Sequence, residues 1–134
     1  MHRDIKLQNI MMTDQTDKAE PKLVDFGFAK ILGPGVFENE YFGSQGYVAP
    51  EVIVKHNYWI QIDVWSLAVV IFALYSGALP FASYDKKEMD RMVIQDPLKF
   101  DKPGFEKKDN ARNCLLYTSP SPRDLSTSRM PSSA

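Results

Sequence analysis

The run from Val64 to Tyr75 is apolar at every position except Ser66. A helix written this way has no polar face to offer water, so the run predicts a core helix buried all round. Asp63 is expected to cap its N-terminus, and Gly77 with Pro80 to end it. The wider run Val64 to Phe81 gives about 12 unbroken helical positions, against the roughly 20 needed to span a bilayer, so no membrane partner is expected.

Other elements must surround that helix. Ile10-Met11-Met12 and Pro21-Lys22-Leu23-Val24 flank the polar stretch Thr13 to Glu20 and predict a small β-hairpin. From Phe26 to Gly46 the chain is punctuated by glycines and carries no helical period, so a long functional loop is expected there. Pro50 opens a short helix ending near His56-Asn57. Lys86 to Gln95, with Met89, Met92, Val93 and Ile94 among charges, predicts an amphipathic helix. An extended polar stretch follows Asp96-Pro97.

Composition narrows the function classes. The 134 residues are 44% hydrophobic and 25% charged, enough for one core and one domain. A net charge of -1 supplies no basic field, so nucleic acid is not an expected partner. The single cysteine, Cys114, forbids an internal disulfide, and Met1-His2-Arg3-Asp4 has no apolar leader. The expected location is the cytoplasm, or the nucleus.

Four signatures occur in order: His2-Arg3-Asp4-Ile5-Lys6-Leu7-Gln8-Asn9, Asp25-Phe26-Gly27, Ala49-Pro50-Glu51 and Asp63-Val64-Trp65-Ser66. Their order and spacing resemble the catalytic loop, magnesium loop and activation-segment end of eukaryotic protein Ser/Thr kinases. The resemblance implies an α+β fold, mainly α: a partial protein-kinase-like fold, consisting of the C-terminal lobe with its small hairpin. It implies transfer of the ATP γ-phosphate to protein Ser/Thr hydroxyls, with ATP and Mg²⁺ as cofactors and a protein as substrate.

The residue roles follow from the same resemblance. Phosphoryl transfer asks a protein mainly for positioning and counter-charge. Asp4 is expected to be the catalytic base and Lys6 a point charge near the transferred group. Asn9 and Asp25 are expected to hold metal and nucleotide phosphates through hard oxygens. His2, Phe26, Gly27 and Asp63 are expected to support the loops, Asp63 by holding the catalytic-loop backbone. Leu7 and Gln8 depart from the Pro-Glu pair most common in the family. Lys6 together with Ser44 resembles the Ser/Thr branch; Ser44 and Tyr47 are expected to help position the peptide substrate.

Arg3 in this family normally meets a phosphate on the activation segment. Between Gly27 and Ser44 there is no Ser or Thr, and Tyr41 is the only hydroxyl. Glu38 and Glu40 are therefore expected to take the place of the phosphate. Glu51 is expected to pair with an arginine from a later helix that this chain does not reach.

Lys99-Phe100-Asp101-Lys102-Pro103-Gly104-Phe105 and the long hairpin resemble the calcium- and calmodulin-dependent group, which includes plant-type calcium-dependent and MAP-kinase-activated kinases. Calcium/calmodulin or a calcium-sensing domain is thus an implied partner. No Gly-x-Gly-x-x-Gly occurs, so the chain alone is expected to be inactive and, with apolar faces uncovered, to aggregate or fold partially. Met1 is expected to be an internal methionine. The alternative reading is a lobe-only or pseudokinase-like scaffold module; the intact Asp4, Asn9 and Asp25 speak against it.

After Asn113 the composition shifts to Ser, Pro, Thr and Arg. Cys114 to Asp124 resembles the translation of a transposase sequencing adapter, and Ser128 to Ala134 that of a flow-cell primer in the same frame. Residues 1–113 are expected to be the kinase part and 114–134 an adapter-derived disordered tail.

Overall fold

The computed structural model describes residues 1–101 and residue 105. The expected tail at 114–134, with Cys114, and residues 102–104 of the aromatic stretch lie outside the described residues. Within them the architecture is mainly α with one two-stranded antiparallel sheet, as the order of motifs implies.

A 3-10 turn at Leu7–Asn9 leads into β1 (Ile10–Met12), which pairs with β2 (Pro21–Leu23) in a register that sets Ile10 opposite Leu23. Pro21 lacks an N–H, which an edge position tolerates. Asp14 orders the connection by accepting the Thr16 N–H at 2.7 Å. One further bond continues the ladder inward, from the Val24 N–H to the Asn9 carbonyl at 2.9 Å.

Helix α1 (Pro50–Ile53) starts at its proline and is shorter than the sequence predicts. Lys55 turns left-handed at φ 56°, and the His56 N–H closes back on the Glu51 carbonyl at 2.9 Å, so the chain leaves the helix before His56-Asn57.

Helix α2 (Gln61–Ser76) begins two residues ahead of Asp63, with Ile60 flanking it. The N-cap expectation for Asp63 is corrected: its carboxylate is taken by a distant segment rather than by its own helix. Gly77 ends the helix as expected, at φ 74° with its N–H on the Ala73 carbonyl at 2.8 Å. Burial all round is also corrected. Ile62, Trp65, Val69 and Phe72 enter the core, while Val64, Leu67 and Leu74 (69% exposed) face outward. The described elements pack against only one side of this uniformly apolar helix.

The main core joins Tyr47, Val52, Ile62, Trp65, Phe81 and Val93, drawn from α1, α2, the segment Lys86–Gln95 and the loops before and between them. Each side chain of this size contributes about 1.5–3 kcal/mol when fully buried. A smaller cluster forms where Phe105 meets Phe72 and Phe100, with ring centroids 5.0 and 5.2 Å apart. Helix α3 (Lys86–Gln95) packs on α1, buries Met89 and Val93 and has the predicted bounds. Asp85 caps it, accepting the Glu88 N–H at 2.8 Å. No helix among the described residues is long and apolar enough to cross a membrane.

Candidate active site

The loop from His2 to Asn9 is irregular backbone and needs outside support. Asp63, in the first turn of α2, provides it: its two carboxylate oxygens accept the N–H groups of His2 at 2.6 Å and Arg3 at 2.8 Å. Arg3 sits at φ 71°, a conformation that costs a non-glycine residue energy and persists only where neighbours fix it. His2 uses both ring nitrogens on the main chain. Nδ1 accepts the Asp4 N–H at 3.3 Å and Nε2 pairs with the Val24 carbonyl at 3.1 Å, two contacts that the tautomer with its proton on Nε2 satisfies together. Its ring meets Phe26 edge-on at 5.0 Å.

Asp4 is the centre of the site and only 4% exposed. Lys6 Nζ donates to its Oδ2 at 2.8 Å and Ser44 Oγ to its Oδ1 at 2.7 Å. Lys6 also donates to Ser44 at 2.7 Å, which closes a three-membered ring of contacts. Asn9 Nδ2 donates to the Asp4 carbonyl at 2.9 Å and to Oδ2 at 3.2 Å. Burial acts to raise the Asp4 pKa, but the bonds from Lys6 and Ser44, the Lys6 charge and the Asn9 bond together carry it below the ordinary value. Asp4 is thus a carboxylate held ionised in a buried setting.

Because Asn9 spends its amide nitrogen on Asp4, its Oδ1 is left as an acceptor. The Val24–Asn9 bond brings the end of β2 beside it, so the next residue, Asp25, follows directly. Asp25 adopts φ 61°, and its Oδ1 accepts the Gly27 N–H at 3.2 Å. One amide oxygen and one carboxylate are a hard-oxygen set that suits a small divalent cation. Among the described residues no three His, Cys, Asp or Glu side chains cluster as a metal cage.

The activation segment is fastened at several points. Arg3 stacks over the Phe42 ring at 4.0 Å, donates through Nε to the Phe28 carbonyl at 2.5 Å and ion-pairs with Glu38 at 3.7 Å. Glu40 takes part through its carbonyl, which accepts the Tyr58 hydroxyl at 2.7 Å. Tyr47 is buried, and its carbonyl accepts the Ser66 hydroxyl at 2.8 Å. Glu51 is buried, with Oε2 lacking a hydrogen-bond partner among the described residues, and burial raises its pKa.

Sequence reasoning missed Lys30, which ion-pairs with Glu38, and the tethering roles of Tyr58 and Ser66. Signals existed for two of them. Lys30 is the only basic residue between Asp25 and Lys55, and Ser66 is the only hydroxyl-bearing aliphatic in the apolar run.

A buried carboxylate beside a lysine and bonded to Asn9, with Asp25 next to the residue whose N–H meets the Asn9 carbonyl, is an arrangement suited to phosphoryl transfer. Residues 1–128 match the family described as protein kinase domain, and the chain belongs to it. It is 36% identical over 117 residues to calcium-dependent protein kinase 11 of Arabidopsis thaliana, covering 87% of this chain and 23% of that protein. With calcium-dependent protein kinase 10 of Oryza sativa subsp. japonica the identity is 39% over 100 residues, covering 75% and 16%. Calcium-dependent protein kinase 20 of the same rice is 33% identical over 125 residues, covering 92% and 22%. The chain thus spans about a quarter or less of the length of these relatives, and within the family its likeness is to the calcium-dependent group.

Proposed function

We propose that the protein is a Ser/Thr kinase that moves the γ-phosphate of ATP to a protein hydroxyl. The observation that carries this is the convergence of Lys6, Ser44 and Asn9 on the buried Asp4. The substrate oxygen attacks the γ-phosphorus, its proton passes to Asp4, and the bond to the bridging oxygen breaks to release ADP. Lys6 supplies positive charge beside the transferred group, and Ser44 presents the activation segment to the peptide. Asn9 and Asp25 would hold Mg²⁺, which when bound neutralises phosphate charge. Tyr47, tied to Ser66, keeps the substrate-facing backbone in place.

Protein substrate and ATP follow from the family; the names of the relatives further suggest regulation by calcium. We place the protein in the cytoplasm or nucleus. The kinase part is taken as residues 1–113 and residues 114–134 as adapter-derived. The family match runs past Asn113 and so does not mark that boundary.

The test is phosphate transfer by the whole gene product from γ-labelled ATP to Ser- and Thr-containing proteins, with and without calcium. Transfer by the wild type that Asp4→Asn abolishes supports the reading; equal transfer by both overturns it. Sequencing the transcript across Asn113 tests the boundary, which fails if genomic DNA encodes the same tail.

A further inference from the structure

Resting on the kinase reading, we propose that Tyr41 and Lys86 are positioning residues for peptide binding: Lys86 of α3, seated over the Tyr41 ring, holds the segment around Ser44 in place before a peptide arrives.

The segment is gripped on both sides of Ser44. Three residues ahead of it, the Tyr41 ring carries Lys86 Nζ 4.9 Å from its centroid, within the distance at which a cation is drawn to a ring face. Lys86 is itself steered, because Nζ also donates to Asp90 Oδ2 at 2.7 Å, one turn further along the helix. Two residues after Ser44, Gly46 lies so close to α3 that a Cβ there would stand 3.6 Å from Met89 Sδ. Lys86 and Met89 are three positions apart and share one face of α3. That single face therefore meets the activation segment on both flanks of the residue whose hydroxyl donates to Asp4.

The two grips differ in kind. Met89 is buried, so its contact belongs to the core. Tyr41 is 38% exposed and the Lys86 side chain 55%, so their contact can be removed without opening the core. Without Lys86, the turn closed by the Tyr47 N–H on the Ser44 carbonyl at 3.0 Å would keep its α3 contact at Gly46 and lose the one at Tyr41. A peptide would then have to order the segment as it binds, and that ordering weakens its affinity. Asp4 keeps its bonds from Lys6 and Asn9, so the chemical step is spared.

The test uses the whole gene product with Lys86→Met, Lys86→Arg, Tyr41→Leu, Tyr41→Phe and the double variant Tyr41→Leu with Lys86→Met. Each is assayed for kcat, for the KM of ATP and for the KM of the best substrate drawn from a Ser/Thr peptide library. Lys86→Met and Tyr41→Leu are each expected to raise the peptide KM about two- to fivefold, the effect of an exposed cation–π contact, with kcat and the ATP KM little changed. The double variant should be no worse than either single one, since both remove the same contact. Lys86→Arg and Tyr41→Phe, which keep the cation and the ring, should stay near wild type. An unchanged peptide KM in both single variants, or a double variant whose effect is the product of two independent ones, overturns the tether and leaves the kinase reading intact. If the wild type transfers no phosphate, the kinase reading fails instead, and the tether is read from hydrogen exchange at the Phe42 to Gly46 amides. Faster exchange in Lys86→Met but not in Lys86→Arg supports the tether; unchanged exchange overturns it.

Discussion

The carboxylate of Asp63 accepts the backbone N–H of Arg3 at 2.8 Å across sixty positions of sequence, and the catalytic loop hangs from that bond and its twin to His2. Asp63→Ala orphans both donors, at a cost of about 1–3 kcal/mol for each left buried. Expected outcomes are a lower melting temperature and a kcat loss exceeding any change in KM. Asp63→Asn, which keeps a single acceptor oxygen, should fall between. Unchanged melting in the alanine variant contradicts the anchoring role.

In the whole gene product Asp4→Asn should lower kcat by about 10²–10⁴ while nucleotide binding persists, since the proposed base is removed and its shape is kept. A steady-state titration with substrate separates the two effects.

The depressed pKa of Asp4 has a definite sign. Burial pushes it up, but Lys6, Ser44 and Asn9 outweigh that, so the group adds stability that is present above its unfolded pKa and lost as pH falls through its folded one. The acidic limb of kcat/KM should therefore lie below the ordinary carboxylate range. Ser44→Ala should move that limb upward; a limb that stays put refutes the assignment.

Glu51 behaves oppositely. Burial raises its pKa, so protonated Glu51 favours the fold, and the stability it adds at low pH is lost as pH rises from its unfolded to its folded pKa. Glu51→Gln should flatten this dependence and raise the melting temperature at neutral pH. Thermal unfolding of the two proteins across the acidic-to-neutral range checks it; a pH dependence that Glu51→Gln leaves unchanged contradicts the assignment.

Gly43 has φ 113°, and a Cβ there would stand 3.0 Å from the Arg3 carbonyl, a main-chain atom that cannot step aside. Gly43→Ala should cost about 1–3 kcal/mol and disturb the loop bearing Asp4. At Gly46, φ 85°, the nearest atom is the tip of Leu79 at 2.8 Å, which can rotate, so the backbone conformation dominates the cost. Melting curves of both variants should show the larger kcat loss at Gly43.

The outward stripe of Ile60, Val64, Leu67 and Leu74 predicts that the 134-residue chain, expressed alone, aggregates. Val64→Glu with Leu67→Lys should raise its soluble yield. A wild-type chain that stays monomeric in sedimentation contradicts this.

Local chemistry determined much of what could be read in advance. Pro50, Gly77 and the alternating apolar positions of α3 act within a few residues of themselves, so the hairpin and the helices stood in the sequence to within a turn or so. The ordered motifs likewise single out Asp4, Lys6, Asn9 and Asp25, and the fold sets Lys6 and Asn9 on the Asp4 carboxylate. Tertiary structure alone decided where long-range charge goes. Asp63 could have capped its own helix, but the N–H groups of His2 and Arg3 claimed both its oxygens. Which acidic residue meets Arg3, and that Lys30 joins it, depended on the bridge between Glu38 and Tyr58. The exposed side of α2 was hidden for the same reason: apolarity states what a helix would bury, and only the packed neighbours state what it does bury.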